Sequence, residues 1–130
     1  MTLVTDASTV VELLAGRIAG SSQRALFEGQ ELVAPVLIDA EVASALAGLE
    51  RGGKLSAARC LEAIADLADL PLERRRLEPL LGAAWSLRHN LSLYDAFYVA
   101  VARQLGCPLV TADDRLARAP NLGVDLIRLR

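Results

Sequence analysis

Four acidic residues, Asp6, Glu41, Asp95 and Asp113, have the residue type and placement to bind a divalent cation if they converge in the fold. Mg²⁺ and Mn²⁺ take oxygen ligands, often a few carboxylates completed by water molecules. Carboxylates that crowd together without a cation raise one another's pKa, so a converging cluster favours metal capture. A bound ion positions a phosphate, activates a water molecule and stabilises the leaving oxygen. The four acids therefore predict a Mg²⁺ or Mn²⁺ site suited to phosphodiester cleavage.

Hydroxyl and arginine side chains near these acids are candidates to assist them. Ser8 and Thr111 lie beside two of the acids in sequence and could orient their carboxylates by hydrogen bonds. Arg88 and Arg115 lie near the segments that carry the acids and are the better candidates for phosphate contact.

Each acid, taken singly, also has a purely structural explanation. Asp6 can cap the helix that follows it, and Ser92 with Asp95 matches a capping box. Asp113 can be a turn residue, and Glu41 can be a solvated helix acid. The joint placement favours the site, because two acids end strands, one begins a buried helix and one lies at the shoulder of a core-facing helix.

The elements that must position these acids alternate between strands and helices along the chain. The predicted strands are Leu3–Thr5, Leu32–Ala34, Leu72–Leu77 (an edge strand), Leu109–Thr111 and Val124–Ile127. The predicted helices are Val10–Leu14, Ser22–Glu28, Val36–Glu50, Ser56–Leu70, Pro79–Arg88 and Asp95–Leu105. This alternation predicts an α/β fold with a mostly parallel central sheet and helices on both faces, in which ligands gather outside the carboxyl ends of the strands.

Hydrophobic periodicity predicts which helix faces are buried. The helix 95–105 is apolar around most of its circumference and should be buried. The inward residues predicted for the helix 36–50 are Ile38, Val42, Ala45, Leu46 and Leu49, and those for the helix 56–70 are Leu61, Ile64 and Leu67. The aromatic residues assigned to the core are Trp85, Tyr94, Phe97 and Tyr98.

Length and composition favour one soluble domain over residues 1–130. The chain is 53% hydrophobic, enough for a sizeable core, but no apolar run reaches membrane-spanning length. We see no secretory leader, and Cys60 and Cys107 suggest no disulfide framework, so a cytoplasmic protein without membrane association is expected. One histidine and no paired cysteines argue against a zinc site.

The net charge of −2 does not by itself indicate a nucleic-acid-binding protein. Thirteen of the 14 basic residues are arginines, whose planar guanidinium groups suit phosphate. If four of the 16 acids bound a metal, the remainder would carry −2 + 4 = +2. The triplet Arg74–Arg76, flanked by Glu73 and Glu78, is more typical of a solvated edge than of an RNA contact.

The chain resembles PIN-domain proteins, and specifically the VapC-type ribonuclease toxins of bacterial type II toxin–antitoxin pairs. The resemblance covers essentially the whole chain. It is carried, in the family's order, by Asp6-Ala7-Ser8, the helix bearing Glu41, Tyr94-Asp95-Ala96 and the segment Thr111–Leu116. It implies a three-layer α/β/α sandwich, Mg²⁺- or Mn²⁺-dependent endoribonuclease activity, homodimerisation and inhibition by a cognate antitoxin whose tail occupies the active-site groove.

When the family's residue roles are carried over by position, the resemblance implies a metal-binding and catalytic quartet of Asp6, Glu41, Asp95 and Asp113. Ser8 and Thr111 take a supporting role. Asp114 could lend an oxygen to the site or bind a second ion.

Three further functions are compatible with the sequence. A phosphoryl-accepting receiver or phosphatase domain also places acids at strand ends, but Lys54 precedes a mid-chain helix, and Asp6-Ala7-Ser8 lacks a second aspartate. The second function is that of a PIN-fold nuclease that is not a toxin, and the third is that of a non-catalytic protein-binding module of the same fold.

Overall fold

A five-stranded parallel sheet forms the centre of the molecule, and the computed structural model describes residues 1–16 and 27–129. The strands are β1 (Thr2–Thr5), β2 (Glu31–Pro35), β3 (Leu72–Arg75), β4 (Leu109–Thr111) and β5 (Leu126–Arg128). Their order is β3-β2-β1-β4-β5, and each neighbouring pair is parallel. Parallel neighbours require crossover connections, which the alternating helices supply. The prediction of an α/β fold with a parallel central sheet and three layers is confirmed.

Helices cover this sheet in two groups. They are α1 (Ala7–Leu14), α2 (Ile38–Arg51), α3 (Ala57–Asp69), α4 (Leu81–Ser86, preceded by a 3₁₀ turn over Glu78–Leu80), α5 (Leu93–Leu105) and α6 (Asp114–Ala117). Helices α1, α2 and α3 contact one another, whereas α4 packs on α5, which lies against β1, β2 and β4. The predicted helix Ser22–Glu28 falls mostly outside the described residues. None of the described helices is long and apolar enough to cross a bilayer.

Helix α5 and the neighbouring strands β1 and β4 are deeply buried. Seven consecutive residues of α5, from Ala96 to Ala102, are buried, as the apolar circumference of this helix predicted. The strand residues Val4, Leu109 and Val110 are fully buried. The side chains at the carboxyl ends of these strands and at the start of α5 are therefore held by a rigid core.

The inward face predicted for α3 is correct at Leu67 but wrong at Leu61 and Ile64. Its buried residues are Cys60, Ala63 and Leu67, while Leu61 is 72% exposed and Ile64 is 39% exposed. The Cys60 thiol donates to the Leu46 carbonyl oxygen of α2 at 3.6 Å. Small side chains on this face permit that close approach of the two helices, so the larger residues lie outside.

Two of the four aromatic residues assigned to the core are also placed wrongly. Trp85 and Tyr94 are 59% and 65% exposed, whereas Phe97 and Tyr98 are buried. Trp85 belongs to a helix of only six residues, in which Ala84 is the buried member. Helix α2 buries Ile38, Val42 and Leu46 as predicted, but Ala45 is exposed.

One strand boundary and one additional helix near the carboxyl terminus differ from the prediction. The last strand, β5, begins two residues later than the predicted Val124, and the short helix α6 was not predicted. The predicted edge strand is confirmed, since β3 lies at one edge of the sheet.

Candidate active site

The polarity of the sheet brings the ends of β1 and β4 together. These strands are parallel neighbours, and β1 is the position from which the sheet extends in both directions. Crevices for ligands form at such a point, outside the carboxyl ends of the strands. Asp6 follows β1 directly, and Asp113 comes two residues after β4.

Asp6 is buried, and both of its carboxylate oxygens accept hydrogen bonds. Oδ1 accepts from the Ser8 hydroxyl at 2.7 Å and from the Thr9 backbone N–H at 3.0 Å. Oδ2 accepts from the Thr111 hydroxyl at 2.5 Å. Asp6 is thus the N-cap of α1, as predicted by the structural explanation of this residue. The cap does not exclude metal binding, because a carboxylate has about four acceptor positions in total.

Ser8 and Thr111 also tie the two strand ends to each other. The Ser8 hydroxyl oxygen accepts from the Ala112 N–H at 3.0 Å, and the Thr111 hydroxyl oxygen accepts from the Asp113 N–H at 3.0 Å. These two hydroxyl groups therefore fix the backbone that precedes Asp113 relative to the Asp6 carboxylate. The hydrogen bonds expected of Ser8 and Thr111 are present.

Asp113 and Asp95 both lie at helix starts. Asp113 caps α6, where its Oδ1 accepts from the Arg115 backbone N–H at 2.8 Å. Asp95 lies in the first turn of α5, whose cap is Ser92; the Ser92 hydroxyl accepts from the Asp95 N–H at 3.2 Å. Both carboxylates are partly exposed.

Electrostatic coupling shows that these carboxylates and Glu41 share one region. Burial raises the pKa of Asp6. Burial raises the pKa of Glu41, and the negative charges of Asp95 and Asp6 raise it further. Burial likewise raises the pKa of Asp95, with added repulsion from Asp113 and Asp6. The structure thus brings together Asp6, Glu41, Asp95 and Asp113, which we call the acidic cluster.

The remaining candidates from the sequence have different surroundings. Asp114 Oδ1 lies 2.6 Å from an Arg128 guanidinium nitrogen, so this acid is paired outside the cluster. Arg115 lies beside the cluster, with its Nε 3.8 Å from Asp113 Oδ1, and its charge lowers the pKa of Asp95. Arg88 instead stacks on the Trp85 ring, 4.5 Å from the ring centroid.

Tyr98 and Thr9 contact the cluster but were not assigned to it from the sequence. The Tyr98 hydroxyl donates to Glu41 Oε1 at 2.6 Å, and its pKa is raised by burial and by this bond. Helical spacing could have indicated that Tyr98 lies near the site, since Tyr98 comes three residues after Asp95 on α5. Thr9 could have been identified from the position of its N–H at the third residue after a capping aspartate.

An open groove of about 300 Å³ borders the cluster. It is lined by Asn90 in the segment before α5, by Asp95 in the first turn of α5, by Arg115 of α6 and by Pro120 in the segment after α6. A larger cavity of about 480 Å³ lies near Arg103 at the other end of α5 and contains none of the four acids. The chemistry of the side chains, and not cavity size, therefore locates the site.

The donor set of the acidic cluster fits a hard divalent cation. All four side chains offer carboxylate oxygens, and their mutual repulsion is the condition that a cation relieves. Among residues 1–16 and 27–129, no three acidic, histidine or cysteine side chains already lie close enough to hold an ion between them. Mg²⁺ commonly binds only one or two carboxylates directly and keeps several water molecules, so its binding does not require three side chains around the ion.

Comparison with known proteins identifies the family of the chain. Residues 3–122 match the family model of the PIN domain. The chain belongs to the PIN-domain family. It is 43% identical over 118 residues to ribonuclease VapC3 of Mycobacterium tuberculosis, covering 90% of this chain and 86% of that protein. It is 40% identical over 129 residues to ribonuclease VapC1 of the same organism, covering 98% and 97%.

These relatives place the chain, within the PIN-domain family, among the VapC proteins. A solved structure of VapBC2 from Rickettsia felis, bound to a DNA fragment from its promoter, superposes with a TM-score of 0.69 over the whole of both chains. At 14% identity, that similarity shows the shared fold alone. The PIN-domain and VapC resemblance seen in the sequence is confirmed.

Proposed function

We propose that this VapC-family protein is a Mg²⁺- or Mn²⁺-dependent endoribonuclease that acts in the cytoplasm as the toxin of a type II toxin–antitoxin pair. Its relatives at about 40% identity are named ribonucleases, and they align over nearly their whole length. The observation that carries the proposal is the acidic cluster itself. Four carboxylates from four separate segments couple electrostatically at the carboxyl ends of β1 and β4.

The acids of the cluster and the neighbouring hydroxyl groups have different proposed roles. Asp6, Glu41, Asp95 and Asp113 would hold the ion, which when bound supplies a water of lowered pKa and positive charge for the phosphate. Ser8 and Thr111 hold the Asp6 carboxylate in a fixed orientation by the hydrogen bonds at its two oxygens. We exclude Asp114 from the proposed ligands, because binding an ion would require it to leave Arg128.

Arg115 is the better of the two arginines proposed for phosphate contact. The Arg115 side chain is 88% exposed and lies beside Asp113, at the edge of the groove that Asp95 also lines. A cation at this place can bind RNA phosphate and offset the negative charge of the cluster. Arg88 has its planar group on Trp85, so its contribution would require a substrate that reaches that ring.

We also propose that the protein forms a homodimer and binds a cognate antitoxin. The antitoxin partner is supported by solved structures of the same fold described as VapBC2 from Rickettsia felis and VapBC-5 from Mycobacterium tuberculosis. Several large apolar side chains are exposed on the described surface and are available for protein contacts: Val36, Leu61, Ile64, Leu81, Trp85, Leu93 and Tyr94.

The substitution Asp95→Asn tests the enzymatic proposal. The Asp95 backbone N–H donates to the Ser92 hydroxyl at the helix cap, and asparagine keeps both this N–H and a side-chain oxygen for Ser92, so the fold should persist. We expect RNA cleavage in Mn²⁺ to fall by more than about 100-fold, because loss of a supporting group alone commonly costs 10- to 100-fold at metal sites. The matched control is Asp66→Asn, which removes an exposed carboxylate of α3, far in sequence from Asp95. The Asp66→Asn protein should cleave RNA at the wild-type rate.

Each outcome of that experiment separates the candidate functions. Full activity of the Asp95→Asn protein would remove the acidic cluster from the reaction. A wild-type protein that is neither stabilised by millimolar Mn²⁺ nor able to cleave RNA would favour the non-catalytic binding module. A nuclease whose expression does not arrest growth, and whose neighbouring gene encodes no antitoxin, would be a PIN-fold enzyme that is not a toxin.

A further inference from the structure

Glu41 reaches the acidic cluster from a different helix, and one hydrogen bond holds it there. The Tyr98 hydroxyl of α5 donates to Glu41 Oε1 of α2 at 2.6 Å. Within the described part of the chain, no other side-chain hydrogen bond or ion pair to the Glu41 carboxylate is present. Glu41 is only half-buried, and its flexible side chain would otherwise sample several rotamers.

Tyr98 is a rigid anchor for this bond. It is 1% exposed and lies within the run of seven buried residues of α5, so its ring cannot change position without disturbing the core. Asp95 lies three residues earlier on the same helix, and residues at that spacing are neighbours on a helix surface. The bond therefore fixes Glu41 relative to the helix that carries Asp95.

The electrostatics of the cluster make such an anchor necessary. The charges of Asp95 and Asp6 repel the Glu41 carboxylate. Rotation of the Glu41 side chain towards solvent would relieve that repulsion. A donor on the buried side opposes this rotation. It occupies Oε1 and leaves Oε2 for another partner.

We propose that Tyr98 is a positioning residue, whose buried hydroxyl holds Glu41 in the acidic cluster and thereby sets the affinity of the cluster for a divalent cation. This inference rests on the proposed metal-dependent function. It assigns a specific task to a residue that does not itself bind the ion, since supporting partners orient ligands before the metal arrives.

The substitution Tyr98→Phe tests the inference by removing one oxygen while keeping the buried ring. Mn²⁺ binding to the whole protein is measured from the electron paramagnetic resonance signal of free Mn²⁺. We expect affinity to weaken by about 10- to 100-fold, the usual effect of losing a partner that orients a ligand. Tyr94→Phe is the matched control, because Tyr94 is on the same helix but 65% exposed. The Mn²⁺ affinity of the Tyr94→Phe protein should match that of wild type.

A double-substitution cycle shows whether Tyr98 acts through Glu41. Adding Tyr98→Phe to Glu41→Gln should weaken Mn²⁺ binding by less than about twofold beyond Glu41→Gln alone, because coupled residues are not additive. An equal loss in both backgrounds would mean that Tyr98 acts independently of Glu41, which overturns the inference. Unchanged affinity in Tyr98→Phe, with urea unfolding showing only lower stability, would make the bond purely structural and also overturn it.

A second measurement does not depend on the folding of the Tyr98→Phe protein. The chain has two tyrosines, so in the Tyr94→Phe protein Tyr98 is the only one and its ring resonances are unambiguous. Titration with Mg²⁺ should shift those resonances to saturation, and no shift at saturating Mg²⁺ would count against the inference. If wild type binds Mn²⁺ and cleaves RNA while these tests fail, only the role of Tyr98 is lost; a wild type that does neither removes the proposed function itself.

Discussion

At the β3 edge of the sheet, three consecutive arginines are paired with carboxylates, whereas the acids of the acidic cluster, at the ends of β1 and β4, repel one another. Arg74 binds Asp39, Arg76 binds Glu78, and Arg75 Nε lies 2.9 Å from Glu73 Oε1 in an ion pair without hydrogen-bond geometry. The pKa values of Asp6, Glu41 and Asp95 are raised, first by burial.

This contrast separates the charges that serve the fold from those that are held for a ligand. A charge that the fold needs has its counter-ion within the chain, and removing either partner destabilises the folded state. A group of like charges at a fixed place costs stability until a cation binds. The β3 edge is of the first kind, and the acidic cluster is proposed to be of the second.

The largest expected effect on stability comes from breaking the Arg74 contacts. Its guanidinium binds both oxygens of Asp39 and also donates to the carbonyl oxygens of Leu67, Leu70 and Leu72. Replacing Arg74 with Met keeps the aliphatic stem and should lower the free energy of unfolding by roughly 2–3 kcal/mol, as for other hydrogen bonds to charged groups. Urea unfolding measures this change, and Mn²⁺ affinity should be unaltered; a loss of metal affinity would mean that the two regions are coupled.

A smaller effect of opposite sign is expected at the acidic cluster in the absence of metal. The pKa of Asp95 is raised above its usual value of 3.8, so the folded chain binds this proton more tightly than the unfolded chain does. The stability that protonation gives is present below the unfolded pKa and is lost as pH rises through the higher folded pKa. The Asp95→Asn protein does not undergo this loss.

At neutral pH without metal, the Asp95→Asn protein should therefore be more stable than wild type, by on the order of 1 kcal/mol. The advantage should shrink as pH falls towards the usual pKa of the carboxyl group, and Mn²⁺ should stabilise wild type more than the variant. Urea unfolding across a pH series with and without Mn²⁺ measures both. A variant less stable than wild type at neutral pH would show that the Asp95 charge serves the fold.

The smallest effect is expected at the exposed end of the β3 edge. The side chains of Arg76 and Glu78 are 80% and 67% exposed, and water screens their attraction. Arg76→Met should change the free energy of unfolding by less than about 0.5 kcal/mol, as is usual for surface ion pairs. Comparison with Arg74→Met in the same urea experiment isolates burial as the cause; equal losses would contradict it.

Prediction from the sequence worked where local rules and tertiary packing agree. Hydrophobic runs followed by acids predicted the strands before Asp6 and Asp113, and a mostly apolar circumference predicted the buried helix α5. The structure confirms these three elements. On α3, two faces satisfied the same helical spacing. Leu61, Ile64 and Leu67 were predicted to face inward, but only Leu67 is buried. Cys60 and Ala63 are the other buried residues, and the Cys60 thiol donates to the Leu46 carbonyl oxygen of α2.

Local patterns in the chain were enough to specify the class of fold, the family and the four candidate acids, because periodicities and short motifs are properties of neighbouring residues. Three-dimensional packing was needed to show that Asp114 pairs with Arg128 and that Tyr98 holds Glu41. Asp113 and Asp114 are adjacent, so local sequence patterns do not distinguish them. The hydrogen bond between Tyr98 and Glu41 joins residues 57 positions apart, and no local sequence pattern indicates it. The direction of a side chain depends on helix packing across the sheet, which no local pattern specifies.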